Sequence, residues 1–557
     1  MAGRSGSIRC SSAPVARWAA LRRPGRSTSA SDSGVPGGTE PGTVTNEKRS
    51  TKGRAGAKAT GRAGSRSAGE RAAAVSRARR RRAPESAGGG ATPDADAGGV
   101  AAAVAPPSLP PPREASEPAT PRAVRSEVVL LTFGCRAQQA DEEVLRDALV
   151  ERGLPVLDER RAADAGIAVV HGCVVTARAE RDARKTMRRL RREHPELRIV
   201  AAGCFARLAG VAACRELGAD LVLTAGGPVE AARAIRERLA PAGGPGASVC
   251  PGSAPGSTGR HRVPLRIQDG CDGRCAYCIV PQVRGRARSV PVEEVVRQVE
   301  RLGAAGVPEV VLSGIQTGAW GRDLDPPLAL SDLLERLLAL PRRPRLRISS
   351  VEPQYLTDCL VGLVTGEAGL CPHLHLPIQS GSPGLLARMG RADLAPALEL
   401  LQRAWSRCPD LAVGVDVVAG LPTETERDHE ATLALLERLP LSYLHVFTYS
   451  PRPGTPAAVL VPQVPERTAA LRTRALLRLD ERLRAAYRER AVARGWAEVA
   501  VERIDAGGCG RGTTERFLPA VIVSREVRAG TLVRGTTDGL DADGALRVVP
   551  ERTPATG

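Results

Sequence analysis

The sequence predicts an α/β protein with three ordered parts: an N-terminal parallel α/β domain, six βα units of a partial barrel, and a small all-β module. Three observations predict this. Short apolar runs alternate with amphipathic helical patterns, a Gly/Pro/Ser-rich stretch interrupts that alternation once, and the end of the chain changes to short strands with Gly-rich turns. The predicted limits are an arm at 1–125, the α/β domain at 126–240, a linker at 241–260, the barrel at 261–490 and the β module at 491–557.

The N-terminal arm is basic and poor in core-forming side chains. Residues 1–125 hold 22 Lys+Arg and 9 Asp+Glu but only ten Leu, Ile, Val or Phe. Because this small number of apolar groups cannot offset the entropic cost of ordering a chain, we expect the arm to be disordered. It carries +13 of the net charge of +19, and the basicity is therefore weak evidence that the rest of the chain binds nucleic acid. The arm could attract RNA or be an idle extension.

Three apolar runs in the first ordered region end in Gly-Cys: Val128–Cys135, Ala165–Cys173 and Arg198–Cys204. Helical patterns separate them, so they are successive βα units of a parallel sheet. Such a sheet binds ligands at the carboxyl ends of its strands. We therefore expect Cys135, Cys173 and Cys204 to share one edge.

The second ordered region contains six candidate strands separated by amphipathic helices. Six βα units without a closing pair predict an open, partial barrel with its active site at the C-terminal mouth of the strands. A long helical pattern over Glu466–Arg494 leads out of it, and the following tail reads as a small β-barrel. The candidate strands are Val263–Gln268, Glu309–Gly314, Arg345–Ser350, His373–Ile378, Leu411–Val418 and Tyr443–Tyr449.

The sharpest motif is a CxxxCxxC formed by Cys271, Cys275 and Cys278, directly after the first barrel strand. So short a loop brings three thiolates together, and thiolates are the standard ligands of iron–sulfur clusters. Three ligands leave one iron of a four-iron cluster open to another molecule, as a catalytic zinc keeps one open position. The alternative is a structural zinc knuckle, which needs a fourth ligand such as His261. The spacing alone leaves both open.

Six further motifs follow in order, and with the two cysteine triads they carry a family resemblance. From about Glu127 to Val549 the chain resembles the radical S-adenosylmethionine (SAM) methylthiotransferases, and its β module is similar to their TRAM RNA-binding domain. Several motifs are most similar to the branch that acts on threonylcarbamoyladenosine in tRNA. The motifs are LRIQDG (265–270), SGIQTG (313–318), RISSVE (347–352), HLHLPIQSGS (373–382), DVVAGLPTETE (416–426) and LHVFTYSPRPGTPA (444–457).

The resemblance implies two 4Fe-4S clusters. Cys271, Cys275 and Cys278 would hold the cluster that binds SAM and cleaves it to a 5′-deoxyadenosyl radical. The upstream triad of Cys135, Cys173 and Cys204 would hold an auxiliary cluster that carries the sulfur to be inserted.

The resemblance also implies SAM and substrate contacts. Tyr277 would pack on the adenine of SAM, and Gly314 with Gln316 would meet its methionine amine. Glu352, Gln379 and Asp416 lie at later strand ends, where contacts to ribose or substrate usually fall. This chain departs from the family at His171-Gly172, where an Asn-Thr pair is usual, and at Gln138, where an Asn is usual.

The partners implied are a tRNA substrate, a reducing electron donor and a sulfur donor. No apolar run approaches 18 residues, so we expect no membrane segment and a cytoplasmic location. Two alternatives to methylthiolation of threonylcarbamoyladenosine remain. The same chemistry could act on isopentenyladenosine in tRNA or on a ribosomal-protein aspartate, or the chain could be a non-catalytic iron–sulfur RNA-binding protein. The retained CxxxCxxC, SGIQTG and PIQSGS motifs argue against the last.

Overall fold

The computed structural model describes residues 125–158, 161, 164–240 and 260–551. The predicted basic arm and nearly all of the predicted linker lie outside these residues. The domain limits given above stay predictions, whereas the α/β class, the parallel sheets and the small C-terminal β-barrel are confirmed.

The N-terminal part is a parallel five-stranded sheet in the order β2-β1-β3-β4-β5. The strand order reverses beside β1, so the crevice for a ligand opens at the carboxyl ends of β1 and β3. Strand β2 was not predicted, because two residues carry no periodic signal. The strands are β1 (Val128–Phe133), β2 (Val156–Leu157), β3 (Ile167–Gly172), β4 (Arg198–Ala202) and β5 (Leu221–Val222).

Four helices cover the two faces of this sheet. Because side chains alternate along a buried strand, each face has its own apolar core. On one face Val129, Leu131 and Val170 pack with residues of α2 and α3, and on the other face Val128 and Leu130 pack with α1 and α4. The helices are α1 (Arg136–Glu151), α2 (Ala177–Glu193), α3 (Gly203–Glu216) and α4 (Pro228–Leu239).

The middle part is a partial barrel of six parallel strands, as predicted, in two three-stranded sheets. The sheets meet where Leu346 N donates to Gly369 O at 2.8 Å and Cys371 N donates to Leu346 O at 2.8 Å. A short antiparallel pair, β7 (Gln268–Asp269) and β8 (Arg288–Ser289), follows the first strand. The barrel strands are β6 (Arg262–Arg266), β9 (Glu309–Ser313), β10 (Arg345–Ile348), β11 (His373–Gln379), β12 (Ala412–Ala419) and β13 (Tyr443–Thr448).

Helices connect the barrel strands and pack on their outer side. Helix α6 shows why: Val292, Val295, Val299 and Leu302 recur at helical spacing and are buried. The barrel helices are α5 (Val280–Arg284), α6 (Val292–Ala304), α7 (Leu330–Leu338), α8 (Asp358–Gly366), α9 (Pro383–Arg388), α10 (Ala395–Arg407), α11 (Glu426–Arg438) and α12 (Glu466–Ala493). Three short 3-10 helices lie at Thr317–Ala319, Pro353–Tyr355 and Pro456–Ala458.

The C-terminal part is a closed barrel in the order β14-β15-β16-β18-β17. Its core is apolar and includes Val499, Val501, Ile522 and Val548. None of the described helices combines the length and the apolar character that a membrane span needs. The strands are β14 (Trp496–Ile504), β15 (Gly510–Thr514), β16 (Pro519–Ile522), β17 (Leu532–Leu540) and β18 (Leu546–Pro550).

A buried ionic cluster joins the two barrels. Glu309 is fully buried and accepts hydrogen bonds from Arg262 Nε at 2.8 Å, Arg345 Nε at 2.9 Å and Arg347 Nε at 2.7 Å. Burial opposes ionisation, but the three guanidinium groups hold the pKa of Glu309 well below its usual range. Arg345 and Arg347 also donate to the C-terminal barrel, at Glu498 O (2.8 Å) and at Thr514 O (2.8 Å). Nearly all their donors are thus satisfied, as buried charges require.

Candidate functional site

The structure places the first cysteine triad at one edge of the N-terminal sheet, as the topology predicts. Cys135 follows β1 as the N-cap of α1, Cys173 follows β3, and Cys204 is the second residue of α3, directly after β4. Gly134 lets the first two loops approach, because a Cβ there would lie 2.2 Å from Cys173 Cβ, and its φ of +123° suits only glycine.

The thiols of this triad interact with one another. A hydrogen bond with Cys173, together with the positive charge of Arg284, lowers the pKa of Cys135 to about 6. The same hydrogen bond raises the pKa of Cys173, and burial raises that of Cys204. Arg284 Nε donates to Cys204 Sγ at 3.2 Å. A donor set of three sulfurs with one readily ionised thiol fits an iron–sulfur cluster.

The second triad lies on the loop between β7 and α5. Gly273 N donates to Cys271 Sγ at 3.2 Å. A Cβ on Gly273 would lie 3.0 Å from Cys271 Sγ and 4.0 Å from Cys275 Sγ, so both sulfurs border the same small space. The loop is fixed to the barrel because Ala276 N donates to Met389 O at 2.9 Å.

The zinc alternative needed His261 as a fourth ligand. The structure places His261 beside the C-terminal barrel, where a Cβ on Gly530 would lie 2.9 Å from its Nδ1. The residue that would complete a zinc knuckle is therefore engaged with another part of the chain.

Two side chains flank the second triad. Tyr277, predicted to contact adenine, packs against an apolar cluster that includes Leu385, Met389 and Leu421, and burial raises its pKa. Arg391 was not predicted, although its Nη1 lies 3.6 Å from Cys275 Sγ. A single Arg gives no signal in a chain with so many.

The predicted residues Gly314 and Gln316 lie beside this triad, and Gln268 holds them there. Gln316 N donates to Gln268 Oε1 at 2.7 Å, while Gln268 Nε2 donates to Gly270 O at 2.9 Å. A Cβ on Gly314 would lie 3.1 Å from Gln268 Oε1. Gln268 therefore ties the end of β9 to the cysteine loop. It lies within the LRIQDG motif, but the motif alone did not reveal this role.

Glu352 is a buried carboxyl group with spare hydrogen-bonding capacity. It is 7% exposed, and its Oε2 has no hydrogen-bond partner among the described residues. Burial raises the pKa of Glu352 to about 7, with Arg391 opposing the shift. A buried acceptor without a partner is rare in folded proteins. Such an acceptor suits a polar ligand group such as a ribose hydroxyl, and the contact of Glu352 with SAM or substrate stays a prediction.

Asp416 is engaged by the protein itself. His375 Nε2 lies 2.8 Å from Asp416 Oδ1, and His445 Nδ1 lies 3.2 Å from the same oxygen. Burial alone would raise the pKa of Asp416, but the two imidazoles hold it well below its usual range. Tyr443 extends the network, since its hydroxyl is 3.0 Å from His375 Nδ1. These three partners were not predicted from the sequence.

Gln379 ends strand β11 in an unusual backbone conformation, with a φ of 70° at a register shift between β11 and β12. The shift turns the chain at the mouth of the barrel, where the SAM contact was predicted.

A cavity of about 640 Å³ opens between the N-terminal sheet and the cysteine loop. Its lining includes Cys204, His171, Arg207, Arg266 and Arg284. Cys204 of the first triad therefore borders open space on the side that faces the barrel.

Comparison with known proteins identifies the family. Residues 265–436 match the radical SAM superfamily, and residues 127–224 match uncharacterized protein family UPF0004. The chain is 33% identical over 428 residues to threonylcarbamoyladenosine tRNA methylthiotransferase MtaB of Bacillus subtilis, covering 73% of this chain and 92% of that protein. The chain belongs to the radical SAM tRNA methylthiotransferases.

Two more relatives show the range of this family. The chain is 31% identical to MtaB of Thermotoga maritima over 65% of this chain and 83% of that protein. It is 35% identical to tRNA-2-methylthio-N(6)-dimethylallyladenosine synthase of Syntrophobacter fumaroxidans over 60% of this chain and 76% of that protein.

As a radical SAM methylthiotransferase, the protein is an enzyme that uses SAM and 4Fe-4S clusters. The non-catalytic alternative is therefore wrong. Which residues hold each group stays a prediction from the motifs and geometry.

Proposed function

We propose that this methylthiotransferase adds a methylthio group to C2 of N6-threonylcarbamoyladenosine beside the anticodon of tRNA. The observation that carries the choice of base is the polar interior of the barrel. His373, His375, Tyr443 and the guanidinium of Arg136 lie there, within one connected set of contacts. A threonylcarbamoyl group is polar and anionic, whereas a dimethylallyl group is apolar and suits an apolar pocket.

The cysteine triads have separate roles in this proposal. Cys271, Cys275 and Cys278 hold the cluster that binds SAM, and Cys135, Cys173 and Cys204 hold the auxiliary cluster. When bound, SAM and the two clusters would supply a radical able to abstract hydrogen from an unactivated C–H bond, the sulfur that replaces this hydrogen, and the methyl group from a second SAM that completes the product. The remaining residues bind and orient: Gln268 fixes the strand end at Gln316, and the free oxygen of Glu352 accepts a hydroxyl of SAM or substrate.

The other partners follow from the reaction. Reductive cleavage of SAM needs an electron donor, and sulfur insertion needs a sulfur donor. The enzyme would meet tRNA, both donors and SAM in the cytoplasm. The basic arm of residues 1–125 would add phosphate attraction that weakens as salt rises.

Purified enzyme tests the acceptor directly. The protein is reconstituted anaerobically and given anticodon stem-loop RNA that carries either threonylcarbamoyladenosine or dimethylallyladenosine. We expect mass spectrometry of the nucleosides to show methylthiolation of the first RNA only. Product on the second RNA alone would assign the sister activity. Product on neither RNA would leave the ribosomal-protein acceptor to be tried.

A further inference from the structure

Arg136 connects the auxiliary-cluster loop with the interior of the partial barrel. It follows Cys135 directly and is the first residue of α1. Its guanidinium carbon lies 5.6 Å from the ring centre of Phe517. That ring lies 4.8 Å from the ring of His373 and 5.4 Å from that of Tyr443, on strands β11 and β13. The guanidinium therefore reaches the barrel interior from beside a proposed cluster ligand.

The guanidinium of Arg136 has no acidic partner there. Within the described part of the chain, it makes no hydrogen bond and no ion pair, although its side chain is half-buried. The nearby carboxylate of Glu309 already accepts from Arg262, Arg345 and Arg347. The carboxylate of Asp416 is held by two histidines. A cation in such a position is costly unless an anion joins it.

The aromatic neighbours of Arg136 do not supply such an anion themselves. The face of Phe517 supports the guanidinium through a cation–π contact, which leaves the edge of the guanidinium free to donate. His373 and Tyr443 are uncharged at neutral pH, since burial lowers the pKa of His373 and raises that of Tyr443. Neither group competes with an incoming anion for Arg136.

We infer that Arg136 binds the carboxylate of the threonylcarbamoyl group and so selects the base that the enzyme modifies. This inference rests on the proposed function. A guanidinium and a carboxylate form two parallel hydrogen bonds with fixed geometry. The carboxylate lies several bonds from C2, at the far end of the base's substituent. Because Arg136 directly follows Cys135, the residue that would anchor the substituent belongs to the same chain segment as a proposed ligand of the auxiliary cluster.

The test compares two RNAs that differ in one charge. Both are anticodon stem-loops with threonylcarbamoyladenosine, and in one the threonyl carboxylate is a methyl ester. We expect the wild-type enzyme to prefer the acid by about 100-fold in kcat/KM, because the ester leaves a buried cation unpaired. In Arg136→Gln the acid-to-ester ratio should fall to about one, and Arg136→Lys should retain an intermediate ratio. Arg297→Gln, at an exposed site on α6, is the matched control and should keep the wild-type ratio.

Three results would overturn the inference. The wild-type enzyme could treat acid and ester alike. Arg136→Gln could lose activity equally on both RNAs, as a contact to an RNA phosphate or a structural role would require. Arg136→Gln could fold, bind iron and keep the wild-type acid-to-ester ratio. Failure of the proposed function is distinguishable from these results. The wild-type enzyme would then methylthiolate only the RNA with dimethylallyladenosine, and this is seen without any variant.

Discussion

Arg284 donates a hydrogen bond to Cys204 across the boundary between the N-terminal sheet and the barrel, with 3.2 Å between Nε and Sγ. Arg284 ends the short helix that follows the second cysteine triad, whereas Cys204 belongs to the first triad. The same guanidinium pairs with Asp141 at 2.9 Å and with Asp269 at 2.8 Å. One side chain therefore couples the positions of the two proposed cluster sites.

Replacing Arg284 by Gln should destabilise the enzyme and loosen the first triad. Arg284 is 6% exposed, and its loss removes one of the two guanidinium groups that Asp141 and Asp269 share, the other being that of Arg266. We expect the free energy of unfolding to fall by about 3 kcal/mol, and the auxiliary cluster to be lost first on exposure to chelator. Denaturant titration and timed iron release measure the two effects. Arg297→Gln should change stability by less than about 0.5 kcal/mol. Equal behaviour of the two variants would contradict the coupling role.

Iron content should separate the two triads. After anaerobic reconstitution we expect about eight irons per chain, from two four-iron clusters. Changing Cys271, Cys275 and Cys278 together to Ala should leave about four irons and abolish SAM cleavage. Changing Cys509 to Ala, a thiol outside both triads, should leave iron unchanged. Full iron in the triple variant would show that the second triad holds no cluster.

Gly270 should not tolerate a side chain. Its φ is +71°, and an added Cβ would lie 1.9 Å from Arg286 O, directly before Cys271. We expect Gly270→Ala to lower the free energy of unfolding by about 3 kcal/mol through strain and overlap and to reduce cluster occupancy at the second triad. Gly285→Ala is the control, because Gly285 has a similar φ of +74° but nothing within 4 Å of the added atom. It should show only the conformational cost of about 1 kcal/mol. If Gly270→Ala and Gly285→Ala lower the melting temperature equally, the close approach of Arg286 O to Gly270 has no effect on stability.

Glu352 should make stability depend on pH. Burial raises its pKa in the folded protein from 4.5 to about 7, so ionisation is disfavoured there. The folded protein therefore holds the proton of Glu352 more tightly than the unfolded chain does. The stability that this gives is fully present below pH 4.5 and is lost as the pH rises through about 7. Glu352→Gln should therefore gain stability relative to wild type over this range, by up to about 3 kcal/mol above pH 8.

Denaturant titrations at several pH values of the enzyme without SAM measure this gain. Glu430→Gln, at an exposed site on α11, should show no such trend. A constant difference between Glu352→Gln and wild type across the range would show that Glu352 ionises normally.

The sequence predicted the large features because their signals are local. The six barrel strands are apolar runs with turn residues at their ends, and all six are confirmed. The meeting of Cys135, Cys173 and Cys204 followed from a topological rule, since parallel strands align their carboxyl ends.

The contacts that organise the site could not be predicted, because they join residues far apart in sequence. Gln268 meets Gln316, Arg284 meets Cys204, and Arg136 meets Phe517 across 381 positions. In a chain with 80 Lys+Arg, no single arginine stands out by type. Only the packing of distant elements shows which arginines are buried and which carry a function.

The buried hydrogen bonds from Arg345 and Arg347 to the C-terminal barrel have a consequence for folding during translation. Their acceptors, Glu498 O and Thr514 O, come after all six barrel strands in the sequence, so they leave the ribosome later than those strands. Until then the guanidinium groups of Arg345 and Arg347 have Glu309 as a partner but lack the acceptors in the C-terminal barrel, and Phe517 is not yet in place against His373. The nascent chain therefore completes the interior of the larger barrel only after Phe517 has been synthesised, and a chain cut short before that residue leaves this interior open.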